Sequence, residues 1–304
     1  MSTDLKIATL IISSNTYPAV RNSSAQKKIF FKEGFDKNLT YWYRGGLQTQ
    51  SDGQNFKVVE NDLIINVDDG STQMGKKTLL ALDWLENNRD YDFIVRPTPS
   101  SYVNLNNLHD YIKKNLYNKE HVFAGKIQST NDKLGNKINF VSGSTFILNK
   151  KTVGLILKNQ EYWDHEYWDD VALSLLTSKL NISPQVSDRF DVEGNPFKQK
   201  LPTNYYQYRC RADNHYGYPR YLESYTLKIV SRVVNNKNHN FLNKFISNIF
   251  FELSKFFYIY QFSWKVYEII RYISKKLFPK FLYEKIKHLL SDKIENFKHV
   301  RFKT

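Results

Sequence analysis

What constrains this chain most is an alternation. Over the first 220 residues, apolar runs of strand length trade places with longer segments of helical period. Lys6–Ser13, Leu39–Tyr43, Asp62–Val67, Asp92–Arg96, His121–Gln128 and Asn139–Leu148 read as strands. Lys76–Asn88, Leu105–Leu116, Lys150–Lys158 and Asp169–Leu180 read as helices. In the first of these, Leu79, Leu80, Leu82, Trp84 and Leu85 share the inner side. Pro97 and Pro99 stop the fourth strand, because proline cannot donate to a ladder. A polar turn at Thr130–Asn136 separates the last two strands. Strands alternating with helices bury both faces of a largely parallel sheet. The predicted class is therefore α/β, a mixed Rossmann-like sheet flanked by helices, over residues 1–220.

The chain has 304 residues, room for one large domain or one domain with an appendage. Its one cysteine, Cys210, excludes a disulfide framework and a Cys-based zinc site. No run of about 18 apolar residues occurs, so no spanning helix is expected. The opening residues lack a basic stretch and read as a buried first strand, not a signal peptide. These features and the single cysteine point to a cytoplasmic setting.

The net charge of +14 is concentrated in residues 221–304, which hold 16 Lys and Arg against 6 Asp and Glu. The same residues hold 19 aromatics and no glycine, and Pro279 is their one proline. Apolar residues recur there at spacings of three and four: Leu242, Phe245, Ile249, Leu253, Phe256 and Tyr260, then Val266, Ile270, Ile273 and Leu277, then Leu282, Ile286 and Leu289. That pattern predicts a C-terminal α-helical extension of two or three amphipathic helices behind a linker at Asn235–Asn240. Lysines interleaved with aromatics suit an anionic membrane surface, met through residues 241–304. Two alternatives are a helical subdomain packed on the first domain or on a second copy, as in a homodimer, and a basic surface for nucleic acid. The amphipathic pattern weighs more than charge alone, which disfavours nucleic acid.

Four constellations can carry chemistry. Asp68-Asp69-Gly70-Ser71-Thr72 follows an apolar strand, where open α/β sheets bind ligands. The same residue types also cap helices. Val95-Arg96-Pro97-Thr98-Pro99-Ser100-Ser101-Tyr102-Val103-Asn104 is a rigid, hydroxyl-rich strand end, with Asn104 near a helix N-cap. Ser142-Gly143-Ser144 breaks a strand with small residues, the mark of a close backbone approach or a bulge. Trp163-Asp164-His165-Glu166-Tyr167-Trp168-Asp169-Asp170-Val171 opens a helix. There the dipole accounts for some of the acids, while Trp163 and Trp168 offer faces to a sugar. A carboxylate in a partly dry cleft can act as a general base. His165 reads as a surface histidine.

In order and spacing these pieces resemble glycosyltransferase family 31, the fringe and β-1,3-galactosyltransferase/N-acetylglucosaminyltransferase group. The matching residues are Arg21 after the first strand and the segment from Asp69 through Lys77 and Thr78 to Trp84. Tyr91–Arg96, Ser101–Leu105, Ser142-Gly143 through Leu148, Asp169-Asp170-Val171 and Leu180-Asn181-Ile182 follow in register. The resemblance covers residues 5–190. It implies a GT-A fold, a UDP-sugar donor, a divalent metal and a single inverting displacement onto a glycan or lipid-linked glycan hydroxyl. By position, Asp170 looks like the base. Asp69 and Lys77 look like nucleotide-side residues, and Arg21, Asp68, Arg96, Thr98, Ser100 and Gly143 are taken with them as candidates on the nucleotide-sugar side. Trp163, Trp168 and Asp169 fall on the acceptor side.

The chain departs from the family where the family's three metal-binding aspartates fall on Thr98-Pro99-Ser100. Hydroxyls do not hold Mn²⁺ or Mg²⁺ as carboxylates do. Three outcomes are compatible with this. Arginine or lysine (Arg96, Lys77, Arg209, Arg211) can neutralise the diphosphate without a metal, because their charge and fork suit phosphate. Asp68 and Asp69 can recruit a metal. Or the chain is a nucleotide-sugar or glycan-binding protein that has lost catalysis. Arg209 and Arg211 also read as a basic surface turn. The expectation is a metal-independent glycosyltransferase of polysaccharide biosynthesis, peripheral on the inner face of a membrane.

Overall fold

The computed structural model describes residues 5–46, 55–132, 134–211, 220–235 and 248–254. In chain order the elements begin with β1 (Ile7–Ile12), α1 (Ala19–Lys32), β2 (Thr40–Arg44), β3 (Phe56–Val59), β4 (Asp62–Ile65) and α2 (Met74–Asn88). Next come β5 (Phe93–Pro97), β6 (Ser101–Val103), α3 (Leu105–Asn115), β7 (Phe123–Asn131) and β8 (Lys137–Asn149). The last are α4 (Lys150–Lys158), α5 (Asp169–Lys179), β9 (Gln185–Val186), β10 (Phe190–Asp191), β11 (Gln207–Arg209) and α6 (Glu223–Val234).

Eight strands form one mixed sheet in the order β3-β4-β2-β1-β5-β8-β7-β9. β1 runs parallel to β2 and β5, and β2 parallel to β4. β5 meets β8 antiparallel, and β8 turns back antiparallel onto β7. The expected class, a mixed α/β sheet flanked by helices, is the one observed. Both faces of the sheet are covered, which explains the unbroken apolar run of β1. Its Ala8, Leu10 and Ile12 enter a core with Leu79, Leu82 and Leu85 of α2. Ile7 and Ile11 enter a second core with Phe30 of α1, Leu108 and Ile112 of α3, and Leu227 and Val230 of α6.

Three features depart from the sequence expectations. α1 was not legible, because three of its buried positions are the polar Asn22, Ser23 and Gln26. Gln26 donates to the carbonyls of Thr98 and Ser101 and accepts from Trp42 Nε1 at 2.9 Å. Second, the proline-rich turn contains β6, which joins β10 and β11 in a separate three-stranded sheet. Third, the first body does not end at residue 220. α6 packs into the second core, and the hydroxyl of Ser231 and the amide of Asn235 both donate to Glu33, the C-cap of α1. Residues 248–254 are helical, as expected, but the expected inner stripe is reversed. Ile249 and Leu253 are exposed, while Phe250 and Phe251 are buried beside Tyr225 and Phe197. The rest of the expected helical extension, 241–247 and 255–304, and the linker residues 236–240 lie outside the described residues. No helix among the described residues is long and apolar enough to cross a membrane.

Candidate active site

β1 is where the sheet order reverses, with β2 and β4 on one side and β5 on the other. Open α/β sheets bind ligands at that point, outside the carboxyl ends of the strands. A cleft of about 900 Å³ opens there. Ser13 and Ser14 after β1, Asp69 to Ser71 after β4, and Thr98 to Ser100 after β5 all line it. Its far wall is the Ser142-Gly143-Ser144 segment of β8 and the start of α5, with Asp169 and Asp170.

Asp69 caps no helix, and α2 begins without a side-chain cap. Its carboxylate reaches back across the strand ends instead. It accepts from the Asn15 amide at 2.5 Å, the Gly45 amide at 2.9 Å and Lys77 Nζ at 3.0 Å. Gly45 must be a glycine here, since a Cβ would stand 2.5 Å from the Val67 carbonyl oxygen. Burial alone would raise the Asp69 pKa, but the Asn15 amide and Lys77 outweigh it and hold the carboxyl below the usual range.

The adjacent acids Asp169 and Asp170 open α5, where the helix dipole favours carboxylates. They diverge in environment. Asp169 is buried and accepts from Arg96 and, at 3.1 Å, from Thr78 Oγ1. Arg96 is itself buried and donates to the Tyr43 hydroxyl at 3.0 Å and to the Gly143 carbonyl. Asp170 turns to the cleft and accepts from the Gly143 amide at 2.7 Å. A Cβ at Gly143 would stand 2.8 Å from Asp170 Oδ2, so only glycine permits this approach. Burial, and then the charge of Asp169, push the Asp170 carboxyl above its usual value. A carboxylate raised toward neutrality is suited to take a proton.

Arg209, Arg211 and Arg220 line the same cleft. Arg220 is oriented by Glu223, a fully buried carboxylate that also accepts from Asn22 at 2.6 Å. Glu166, Tyr167 and Trp168 line the cleft too, as do Gln128, Thr130, Asn131 and Asp132 of the β7–β8 hairpin. Trp168 is 61% exposed, an open aromatic face.

The structure thus brings Asp69, Lys77, Arg96, Thr98, Ser100, Gly143, Trp168, Asp169, Asp170, Arg209 and Arg211 to one cleft. Other expectations are corrected. Trp163 is buried in the first core and offers no face to a ligand. Arg21 stacks on Tyr221 and Tyr225 and donates to Ser224, bracing α1 against the start of α6. Asp68 is exposed and faces a separate depression with Gly46, Asn66 and Lys76. Arg96 is not available to a diphosphate, because its guanidinium is buried and paired with the equally buried Asp169, whereas Arg220 stays exposed beside its partner Glu223. Asp169 is turned inward to that pair and does not reach an acceptor. Asn104 is the N-cap of α3, as expected, accepting from the Asn107 amide.

A divalent metal does not fit the residues present. Thr98 and Ser100 supply hydroxyls only, Asp69 is committed to two amides and a lysine, and Asp68 faces away. Among the described residues, no three His, Cys, Asp or Glu side chains are grouped to hold an ion. The sequence reading missed Arg220, Glu223, Tyr43 and Arg189. Tyr43 meets Thr78 and Arg96, Arg189 meets Ser142 and Ser144, and Glu223 meets Asn22, all remote in the chain, while Arg220 and Glu223 stand three apart, a common ion-pair spacing that marks no site.

No protein-family model matches the chain, and no curated protein does. Several solved structures are similar in part, among them the following three. One is a glycosyltransferase involved in glycosylation of the major capsid of PBCV-1, 8% identical, TM-score 0.43, covering 73% of this chain and 99% of its own. Another is S. aureus TarS 1–349 in complex with UDP, 15% identical, TM-score 0.39, covering 85% and 73%. The third is the glycosyltransferase GlyE of Streptococcus pneumoniae TIGR4, 13% identical, TM-score 0.43, covering 76% of this chain. The chain spans only 63% of GlyE. Likenesses this remote carry no function across, and the reading of the cleft rests on its own side chains.

Proposed function

We propose that the protein is a GT-A-type glycosyltransferase of the family 31 kind. It moves a sugar from a nucleoside diphosphate donor, UDP-linked, to a hydroxyl of a glycan or lipid-linked glycan, with inversion. The observation that carries this reading is the sharing of one cleft by Asp170, a carboxylate raised toward proton uptake, and three arginines. Asp170 takes the proton of the acceptor hydroxyl. The acceptor oxygen bonds to the anomeric carbon as the bond from that carbon to the diphosphate breaks, and the nucleoside diphosphate leaves. Arg209, Arg211 and Arg220 neutralise the departing charge, which a metal does in other enzymes of this chemistry. Asp69, fixed by Lys77 and the Asn15 and Gly45 amides, shapes the end of the cleft that receives the base or ribose. Trp168 supplies a stacking face for the acceptor ring.

The test is a panel of nucleotide sugars, read first as thermal stabilisation and then as turnover with glycan acceptors in EDTA. A donor at about 100 times its Kd adds ~2.7 kcal/mol to stability. Turnover unchanged by EDTA is the expected result. Turnover that EDTA abolishes and Mn²⁺ restores would refute the arginine mechanism. UDP binding without turnover, with metal and acceptor present, would leave a nucleotide-sugar-binding protein.

For the basic aromatic extension we propose attachment to the inner face of an anionic membrane, which brings lipid-linked acceptors to the cleft. A chain ended after residue 254 keeps the buried Phe250 and Phe251. It is expected to lose sedimentation with phosphatidylserine vesicles, and retained sedimentation defeats the proposal.

A further inference from the structure

β8 departs from its neighbour beside the cleft. Ile127 pairs with Val141 and Gly125 with Phe146, so the four residues Ser142–Thr145 stand against Lys126 alone. A bulge of this kind frees peptide groups from the ladder and re-aims the strand. Both groups of Gly143 are taken up from elsewhere: its amide donates to Asp170 Oδ2, and its carbonyl accepts from Arg96.

Arg189, between β9 and β10, holds the bulge from behind. Its side chain is 2% exposed. Nη1 donates to Ser142 Oγ at 2.8 Å and to Ser144 Oγ at 2.6 Å, on either side of Gly143. Nη2 donates to Asp191 at 2.9 Å. Burying a guanidinium is costly unless its geometry is well satisfied. Here that group is committed to the two hydroxyls that flank the one glycine touching Asp170. Ser174 fixes the other side, donating to the Asp170 carbonyl and accepting from the Val141 amide.

We propose that Arg189 is a positioning residue for proton transfer: by clamping Ser142 and Ser144 it fixes the Gly143 amide, and that amide aims the Asp170 carboxylate into the cleft. The proposal rests on the reading of Asp170 as the base. The amide bond favours the charged carboxylate, so loosening the clamp raises the pH at which Asp170 ionises. The charged groups around Asp170 are Asp169 on its own helix and Arg96 on β5. Glu166, Asp132, the Asp69–Lys77 pair, Arg209, Arg211 and Arg220 line the same cleft, and Arg189, paired with Asp191, stands behind the bulge. An arginine that merely filled the core would change stability and leave that ionisation where it is.

Arg189→Lys keeps the charge and loses the planar fork. Two readouts on the full chain decide the matter. In transfer assays, kcat is expected to fall about tenfold and its acid limb to rise by about half a pH unit, with the donor KM unchanged within about twofold. The second readout needs no turnover. The stability difference between chains with and without Asp170→Asn is followed across pH, and its midpoint, which lies between the unfolded and folded pKa, is expected to rise in Arg189→Lys by about half as much as the acid limb. If the midpoint rises but no nucleotide sugar turns over in the unaltered protein, the positioning role stands and the transferase reading fails. If the unaltered protein turns over and neither readout moves in Arg189→Lys, the transferase reading stands and the positioning role is overturned. If Arg189→Lys does not fold, the Ser142→Ala/Ser144→Ala variant removes the clamp from its other end and is held to the same two readouts.

Discussion

The two ends of the cleft hold the same side chain in opposite conditions. At the β4 end, Asp69 is ringed by donors, with two backbone amides and a lysine. At the α5 end, Asp170 has the Gly143 amide and its own helix start for donors, and a second carboxylate beside it. One carboxyl is held below its ordinary value and the other is lifted above it. The contrast teaches that the identity of a residue sets its possible chemistry, while its surroundings assign the task. A carboxylate already saturated by donors is a fixture, and one short of donors is ready to accept a proton.

The sharpest way to break this comparison is to neutralise each end in turn. Asp170→Asn is expected to lower kcat about a thousandfold, within the range for a general base, and to leave donor KM nearly unchanged. Asp69→Asn is expected to raise donor KM about tenfold with kcat largely kept, because it acts in binding rather than in bond making. Steady-state kinetics on the two variants checks both. Equal losses of kcat would erase the distinction between the ends.

A smaller effect sharpens it through pH. Asp69 has its folded pKa below the ordinary 3.8, so it stabilises the fold above that value and loses this as pH falls through the folded pKa. Asp170 has its folded pKa above 3.8, so its ionisation costs stability as pH rises from 3.8 through the folded value. Denaturant titrations should therefore show wild type gaining on Asp69→Asn with rising pH and losing ground to Asp170→Asn. Both differences are small beside the kinetic effects, and solvent screens the more open Asp69. Slopes of the same sign would contradict the assignment.

Much of the fold was legible because burial imposes a period. β1, β5 and α2 are buried runs whose apolar residues fall at strand or helix spacing. α1 escaped because three of its inward positions are polar and find their partners on other elements, such as Thr98 and Ser101 for Gln26 and Glu223 for Asn22. At the cleft, Asp69, Asp170 and Gly143 were legible because strand ends and helix starts concentrate such residues. Trp163 and Trp168, five residues apart, looked alike in sequence. One fills the core and the other stands open, and only the turn between them decides which. Arg189 and Arg220 were invisible for a plainer reason: an arginine announces nothing until its partners are known.

The packing of α6 bears on how this molecule can be taken apart. Leu227, Val230 and Val234 complete the second core, and Glu33 draws its hydrogen bonds from Tyr102, Ser231 and Asn235. A shortened chain ending at Arg220, the natural cut by composition, would leave a greasy trough along α1 and strip Glu33 of two of those three donors. It would also leave Arg220 without Glu223, the anchor that orients it. The smallest autonomous unit therefore runs past the compositional seam, and the polypeptide that looks like an appendage begins as part of the foundation.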